Sequence, residues 1–152
     1  CGLIIIGRLS LLNELYIEII IPTAVKDEIL KLEIYGIELT EFYQAEWISI
    51  QDPVDAEMEI GLQAYLDKGE SAAITLAYEL SADILIIDER AGRKIAKSLD
   101  INIIGLIGIL AQGKESGIIP RVKPLLDRLR TEANFYISEK LYDEVLKGLE
   151  ER

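Results

Sequence analysis

The stretch "ILIIDERAGRKIA", residues 84–96, decides how the rest of the chain is read. Ile84, Leu85, Ile86 and Ile87 form a short, unbroken apolar run, the pattern of a strand buried on both faces. Asp88 ends that run, and "ERAGRKIAKSL" continues as a helix. A buried strand that stops on a carboxylate and turns at once into a helix belongs to a parallel α/β sheet. In such sheets ligands gather beyond the carboxyl ends of the strands. Asp88 therefore has two readings. It caps the helix that follows, or it is one ligand of a metal site, and the choice depends on whether other acids occupy comparable places.

Working outward, the same alternation recurs. Residues 3–15, "LIIIGRLSLLNEL", are predicted helical with a break near Gly7. "YIEIII" (16–21) is a strand, ended by Pro22, and "TAVKDEILKLE" follows with Val25, Ile29 and Leu32 at helical spacing. "EWISIQDP" holds a short strand, and 54–66 reads as a helix. "DKGESAAITLAYEL" (67–80) is a turn and a helix with Ala73, Ile74, Ala77 and Leu80 on one face. "INIIG" is a further strand before the helix "LIGILAQGKES". Residues 120–133 and 138–151 form two helices with no strand between them. Ser138 is the expected N-cap of the second, and Leu141, Tyr142, Val145, Leu146 and Leu149 make its apolar stripe. The expected fold is α/β: a three-layer α/β/α sandwich around a parallel central sheet, in a single domain over 1–152 with a C-terminal helical extension at 120–152.

Composition narrows the chemistry. The chain has 152 residues, no histidine and one cysteine. That excludes Ser-His-Asp and Cys-His catalysis, histidine-bearing zinc sites and any internal disulfide. The lone cysteine fits a reducing, cytoplasmic setting. No apolar run approaches the roughly 18 residues of a membrane span, so no membrane partner is expected. Acids outnumber bases, 27 Asp and Glu against 16 Lys and Arg, for a net charge of −11. Such a chain repels nucleic acid at long range, so a nucleic-acid role requires a local basic patch or bound cations.

Three acids stand at or near strand ends: Asp88, Glu28 in the helix after strand 16–21, and Glu70 at the start of the "GES" helix. Two carboxylates 4 Å apart repel by about 4 kcal/mol at an effective dielectric near 20. A convergence of three would call for a hard divalent cation, Mg²⁺ or Mn²⁺, able to activate water against a phosphodiester. The plainer readings are a helix cap for Asp88, a dipole partner for Glu70 and a solvated surface acid for Glu28.

Four stretches taken in order carry a resemblance: "IGRLSLLNELYIEIIIPTAVKDEI", "LDKGESAAITLAYEL", "LIIDERAGRKIA" and "GLIGILAQGKESGIIP". Together they resemble the PIN-domain family, the metal-dependent ribonuclease fold of many VapC-type toxins, in a branch with a longer C-terminal helical region. The resemblance implies that Glu28, Glu70 and Asp88 are catalytic and hold Mg²⁺ or Mn²⁺. It also implies that the substrate is RNA and that a cognate antitoxin protein is a partner. The family's first acid closes a first strand, and by alignment that motif falls a few residues before Cys1. Either that strand and its acid are expected upstream of residue 1, or the domain is a truncated member of the family.

Arg90, Arg93, Lys94 and Lys97 follow Asp88 on one helix, with Arg90, Lys94 and Lys97 sharing a face. Arg90 and Arg93 are the candidate substrate-binding residues, and the alternative is a solvated face paired with nearby acids. Glu89 is a spare ligand or an ordinary first-turn acid. "GILAQGKE" (108–115) nearly spells a phosphate-binding loop, but Glu115 replaces the required hydroxyl and the stretch reads as helix. The stripe on 138–151 is either core or an interface with an antitoxin or a second copy in a homodimer. The functional expectation is a metal-dependent endoribonuclease, toxin of a toxin–antitoxin pair. The alternative is a catalytically inactive PIN-like module that binds RNA or a protein.

Overall fold

Backbone punctuation sets the elements. Helix α1 (Gly2–Ile5) stops where Gly7 takes a left-handed φ of 69°, and α2 (Ser10–Leu15) follows. The Tyr16 amide bonds back to the Leu12 carbonyl, so Tyr16 closes α2 and the strand expected from 16 is confined to β1 (Ile19–Ile21). Pro22 takes the N-cap position of α3 (Thr23–Leu30), and the adjoining 3₁₀ turn ends at Gly36, whose φ is 80°. There follow α4 (Thr40–Gln44), β2 (Ile48–Ile50), α5 (Ala56–Leu62) and α6 (Lys68–Leu80). The remaining elements are β3 (Leu85–Ile86), α7 (Arg90–Ser98), β4 (Ile103–Ile104), α8 (Leu106–Glu115), α9 (Lys123–Glu132) and α10 (Glu139–Gly148). This computed structural model describes residues 1–151.

The α/β class with parallel strands is as expected. Pairing differs in detail from one continuous sheet, because the ladders are two: β1 with β2, and β3 with β4, both parallel. Ile19 stands opposite Ile48 in the first, and Leu85 opposite Ile103 in the second. Strands this short offer few ladder bonds, and Leu85 N to Asn102 O (2.8 Å) and Ile87 N to Ile104 O (2.9 Å) extend the second.

The chain gathers into two compact units. One comprises residues 18–39 and 45–105 and contains all four strands. Its core is Leu66, Ile74, Ala77, Leu85, Ile87, Ala96 and Ile101. Helix α6 is the hub: it touches α3, α5, α7 and β3. Of its expected apolar face Ile74 and Ala77 are buried, while Leu80 is exposed where the helix ends at left-handed Ser81. Ser71 and Thr75 are buried on α6 as well, and their hydroxyls donate to the backbone carbonyls of Asp67 and Ser71, four residues back.

The other unit comprises residues 1–17, 40–44 and the chain from Leu106 onward. Ile6, Leu11, Ile109, Leu110, Val122, Leu126 and Leu129 are its fully buried centre. The C-terminal helices thus share a core with α1, α2 and α8. Ser138 caps α10 as expected, accepting from the Leu141 amide at 3.1 Å. On the apolar stripe Leu146 is buried, and Tyr142 is held by α9: its hydroxyl donates to Asp127, and the Arg130 guanidinium lies 3.9 Å from its ring centre. After α10 the chain makes a Schellman turn at left-handed Glu150, and the Glu151 amide bonds to the Leu146 carbonyl. This turn carries the Glu151 carboxylate into the unit, where it accepts from Lys114 Nζ (2.8 Å) and from the Val122 and Lys123 amides (2.8 and 3.0 Å).

Candidate active site

Every candidate acid lies in the strand-bearing unit, and one helix start organises most of them. Asp67 is the N-cap of α6, and its Oδ1 accepts from the Glu70 amide at 2.8 Å. This is one half of a capping box, the N-cap side chain taking the amide of the third helical residue. Glu70 occupies the third helical position, where the dipole favours its negative charge. Glu28, from α3, reaches the same place: an added Cβ on Gly69 would meet its Oε1 at 2.5 Å.

Crowding shows in the electrostatics. Burial pushes the Glu70 carboxyl up, and a hydrogen bond with the Asp67 carboxyl and the charges of Asp67, Glu89 and Glu28 add to it, so that its pKa reaches about 7. Burial likewise raises Glu28, with the Asp67 charge second and Lys31 acting the other way. Glu70 Oε2 is buried without a hydrogen-bond partner, against Gly92 of α7. A carboxylate oxygen left so is costly unless a proton or a cation compensates it.

Asp88 is placed differently. It is exposed at the end of β3, and its Oδ1 lies 2.8 Å from where a Cβ on Gly105 would stand; Arg93 NH1 lies 2.6 Å from the same point. Arg93 is thus the cation beside Asp88, and it also makes a long 3.4 Å contact to the Ile87 carbonyl. The N-cap of α7 is Glu89, whose side chain makes no capping bond. Arg90, Lys94 and Lys97 are exposed and, among the described residues, enter no ion pair, so the face is not neutralised by nearby acids.

The structure thus brings Glu28 and Glu70 into one electrostatic group, adds Asp67 and Glu89, and sets Asp88 with Arg93. Among the described residues no three acidic or cysteine side chains form a group that could hold a metal ion. In kind, however, the donors fit a hard cation: all are carboxylate oxygens, and one is buried and unpartnered. Asp67 is the residue that sequence reasoning passed over. Its signal is the spacing in "DKGE", which puts an N-cap acid three residues before Glu70. Ser71, by contrast, spends its hydroxyl on the backbone.

The class so defined is an α/β protein with parallel strands and acids collected where strands give way to helices. Its sequence matches the PIN-domain family over residues 1–151, and the chain belongs to that family. PIN domains have a nuclease-type fold and commonly bind nucleic acids. No curated protein and no solved structure matches the chain significantly. Among the described residues no helix is long and apolar enough to cross a membrane.

Proposed function

We propose that this protein is an endoribonuclease that uses Mg²⁺ or Mn²⁺, with Glu28, Glu70 and Asp88 as the metal-holding acids. The observation that carries this reading is Glu70: a carboxyl in the first turn of α6 in a nuclease-type fold, crowded by Asp67, Glu89 and Glu28, with one oxygen buried and unpartnered. When bound, the ion would supply charge neutralisation on the phosphodiester and a more acidic water. The chain's own residues do the rest. Glu28 and Glu70 present oxygens from two different helices, with the Glu28 carboxyl packed on Gly69, the residue before Glu70. Arg90 and Arg93 stand on the helix that follows Asp88 and offer donors to the RNA backbone. Likeness of the quoted stretches to VapC-type toxins extends the reading to a cytoplasmic toxin neutralised by an antitoxin protein.

A second reading is favoured by one observation, the lack among the described residues of a three-acid group able to hold an ion. It is a catalytically inactive module of the same family that binds RNA or a protein. Titration with Mn²⁺, followed by cleavage of single-stranded RNA in a preparation shown free of contaminating nuclease, separates the two. The enzyme reading expects metal-dependent cleavage that Asp88→Asn abolishes without change in the folded spectrum. Cleavage by Asp88→Asn at the wild-type rate would remove Asp88 from the mechanism. A wild type that neither binds Mn²⁺ nor cleaves would establish the inactive module.

A further inference from the structure

Glycines in this chain fall into distinct groups by what surrounds them. Gly7, Gly36 and Gly117 have left-handed φ and open space where a Cβ would stand, so the backbone itself asks for glycine. Gly113 makes room for core packing, since its Cβ would meet Ile119 and Leu11 side chains. Gly69, Gly92 and Gly105 do neither. None has a left-handed φ, and two of them sit inside helices, where alanine is the better residue.

What they have in common is a carboxylate. The three nearest atoms to an added Cβ at Gly69 all belong to the Glu28 carboxyl, the closest at 2.5 Å. At Gly92 a Cβ would meet Glu70 Oε2 at 2.7 Å and Ile87 Cδ1 at 2.6 Å. At Gly105 it would meet Asp88 Oδ1 at 2.8 Å and Arg93 NH1 at 2.6 Å. Each of the three proposed metal-holding acids thus lies on a glycine of another element, and no two share one.

We propose that Gly69, Gly92 and Gly105 are positioning residues, side-chain-free seats that fix the carboxylates of Glu28, Glu70 and Asp88 against the backbone. This rests on the reading of those three acids as the catalytic centre. The clashing atoms are mostly ends of flexible side chains, so one added methyl moves a carboxylate and leaves the fold in place. Real side chains hold such contacts beyond about 3 Å, so a displacement of some tenths of an ångström or a rotamer change follows at each seat. Metal sites tolerate only a few tenths of an ångström in ligand distance.

The test uses the full chain carrying Gly69→Ala, Gly92→Ala or Gly105→Ala, with Gly61→Ala as control, since Gly61 is helical with open space around it. Side-chain carboxyl ¹³C signals, assigned through Glu28→Gln, Glu70→Gln and Asp88→Asn, are recorded without metal, and Mn²⁺ affinity is measured by calorimetry. Each seat variant is expected to shift the signal of its own acid, to unfold at or above the wild-type temperature, and to bind Mn²⁺ at least tenfold more weakly. Gly61→Ala is expected to match wild type in signals and affinity. Unmoved carboxyl signals in the seat variants, or Mn²⁺ affinity equal to wild type despite them, would overturn the proposal. Failure of the nuclease reading looks different: wild type itself would bind no Mn²⁺, whatever the signals do.

Discussion

Replacing Glu70 by glutamine should make the protein more stable at alkaline pH while costing it its metal. The carboxyl titrates near 7 in the folded chain against 4.5 when unperturbed. A pKa raised by folding means the folded state binds the proton more tightly than the unfolded one. The resulting stability is fully present below about 4.5 and is lost as pH rises through about 7. If solvent screened nothing, that difference would amount to roughly 3 kcal/mol. Part of the side chain reaches water, so about 1–2 kcal/mol is the expected loss between pH 4.5 and pH 8. Glutamine is neutral at every pH and nearly isosteric, so Glu70→Gln should lack this fall and exceed wild type by that amount at pH 8. Urea unfolding in EDTA at pH 5 and pH 8 measures it, followed by Trp47, the only tryptophan, which lies in the unit that holds the site. Adding Mg²⁺ at pH 8 should then raise wild type and leave the variant unmoved, because a ligand stabilises only the state that binds it. A variant no more stable than wild type at pH 8, with parallel pH curves, would refute the crowding on which the reading depends.

Three further outcomes are expected. Asp67→Asn keeps an N-cap oxygen but removes a negative charge, so the Glu70 pKa should fall from about 7 toward the ordinary range, read by carboxyl ¹³C titration; an unchanged midpoint would mean that burial alone sets it. At Glu151 burial by itself pushes the pKa up, yet bonds from Lys114 and the Val122 and Lys123 amides win and bring it to about 2. Glu151→Gln should therefore cost up to about 3 kcal/mol at pH 7, and the wild-type advantage should vanish as pH falls from 4.5 to about 2. Replacing Arg90, Lys94 and Lys97 together by glutamine should weaken single-stranded RNA binding for all sequences alike and flatten the salt dependence by about two units of slope, whereas an unchanged slope would free that face of any phosphate contact.

Much of the fold was legible because its signals are local. The break at Gly7, the Pro22 stop, the Ser138 cap and the strand run before Asp88 each depend on a few neighbouring residues, and each appears where the pattern placed it. What depends on distant partners was not legible. Strand β1 is half as long as "YIEIII" suggests because Tyr16 is taken by α2 through the Leu12 carbonyl and by Gln112 through its hydroxyl. Whether the parallel strands join in one ladder or two is equally a matter of which edges meet.

The site was legible as a list of acids and not as an arrangement, and the reason is physical. Periodicity places Glu28, Glu70 and Asp88 on their elements, but mutual distance is set by how closely α3, α6, α7 and the residues before α8 approach. That approach is written in the residues without side chains. A glycine inside a helix costs conformational entropy, so its presence in "DKGESAA" and "ERAGRK" asks for a compensating contact. The contact found is a carboxylate in both cases, Glu28 on Gly69 and Glu70 on Gly92. Asp88 follows the same rule at Gly105, with Arg93 beside it. Glu70 and Glu28, each raised first by burial and next by Asp67, and Asp88, set beside an arginine, are unequal partners. In the proposed site the ion would be demanded chiefly by Glu70 and Glu28, the two acids that burial and Asp67 crowd.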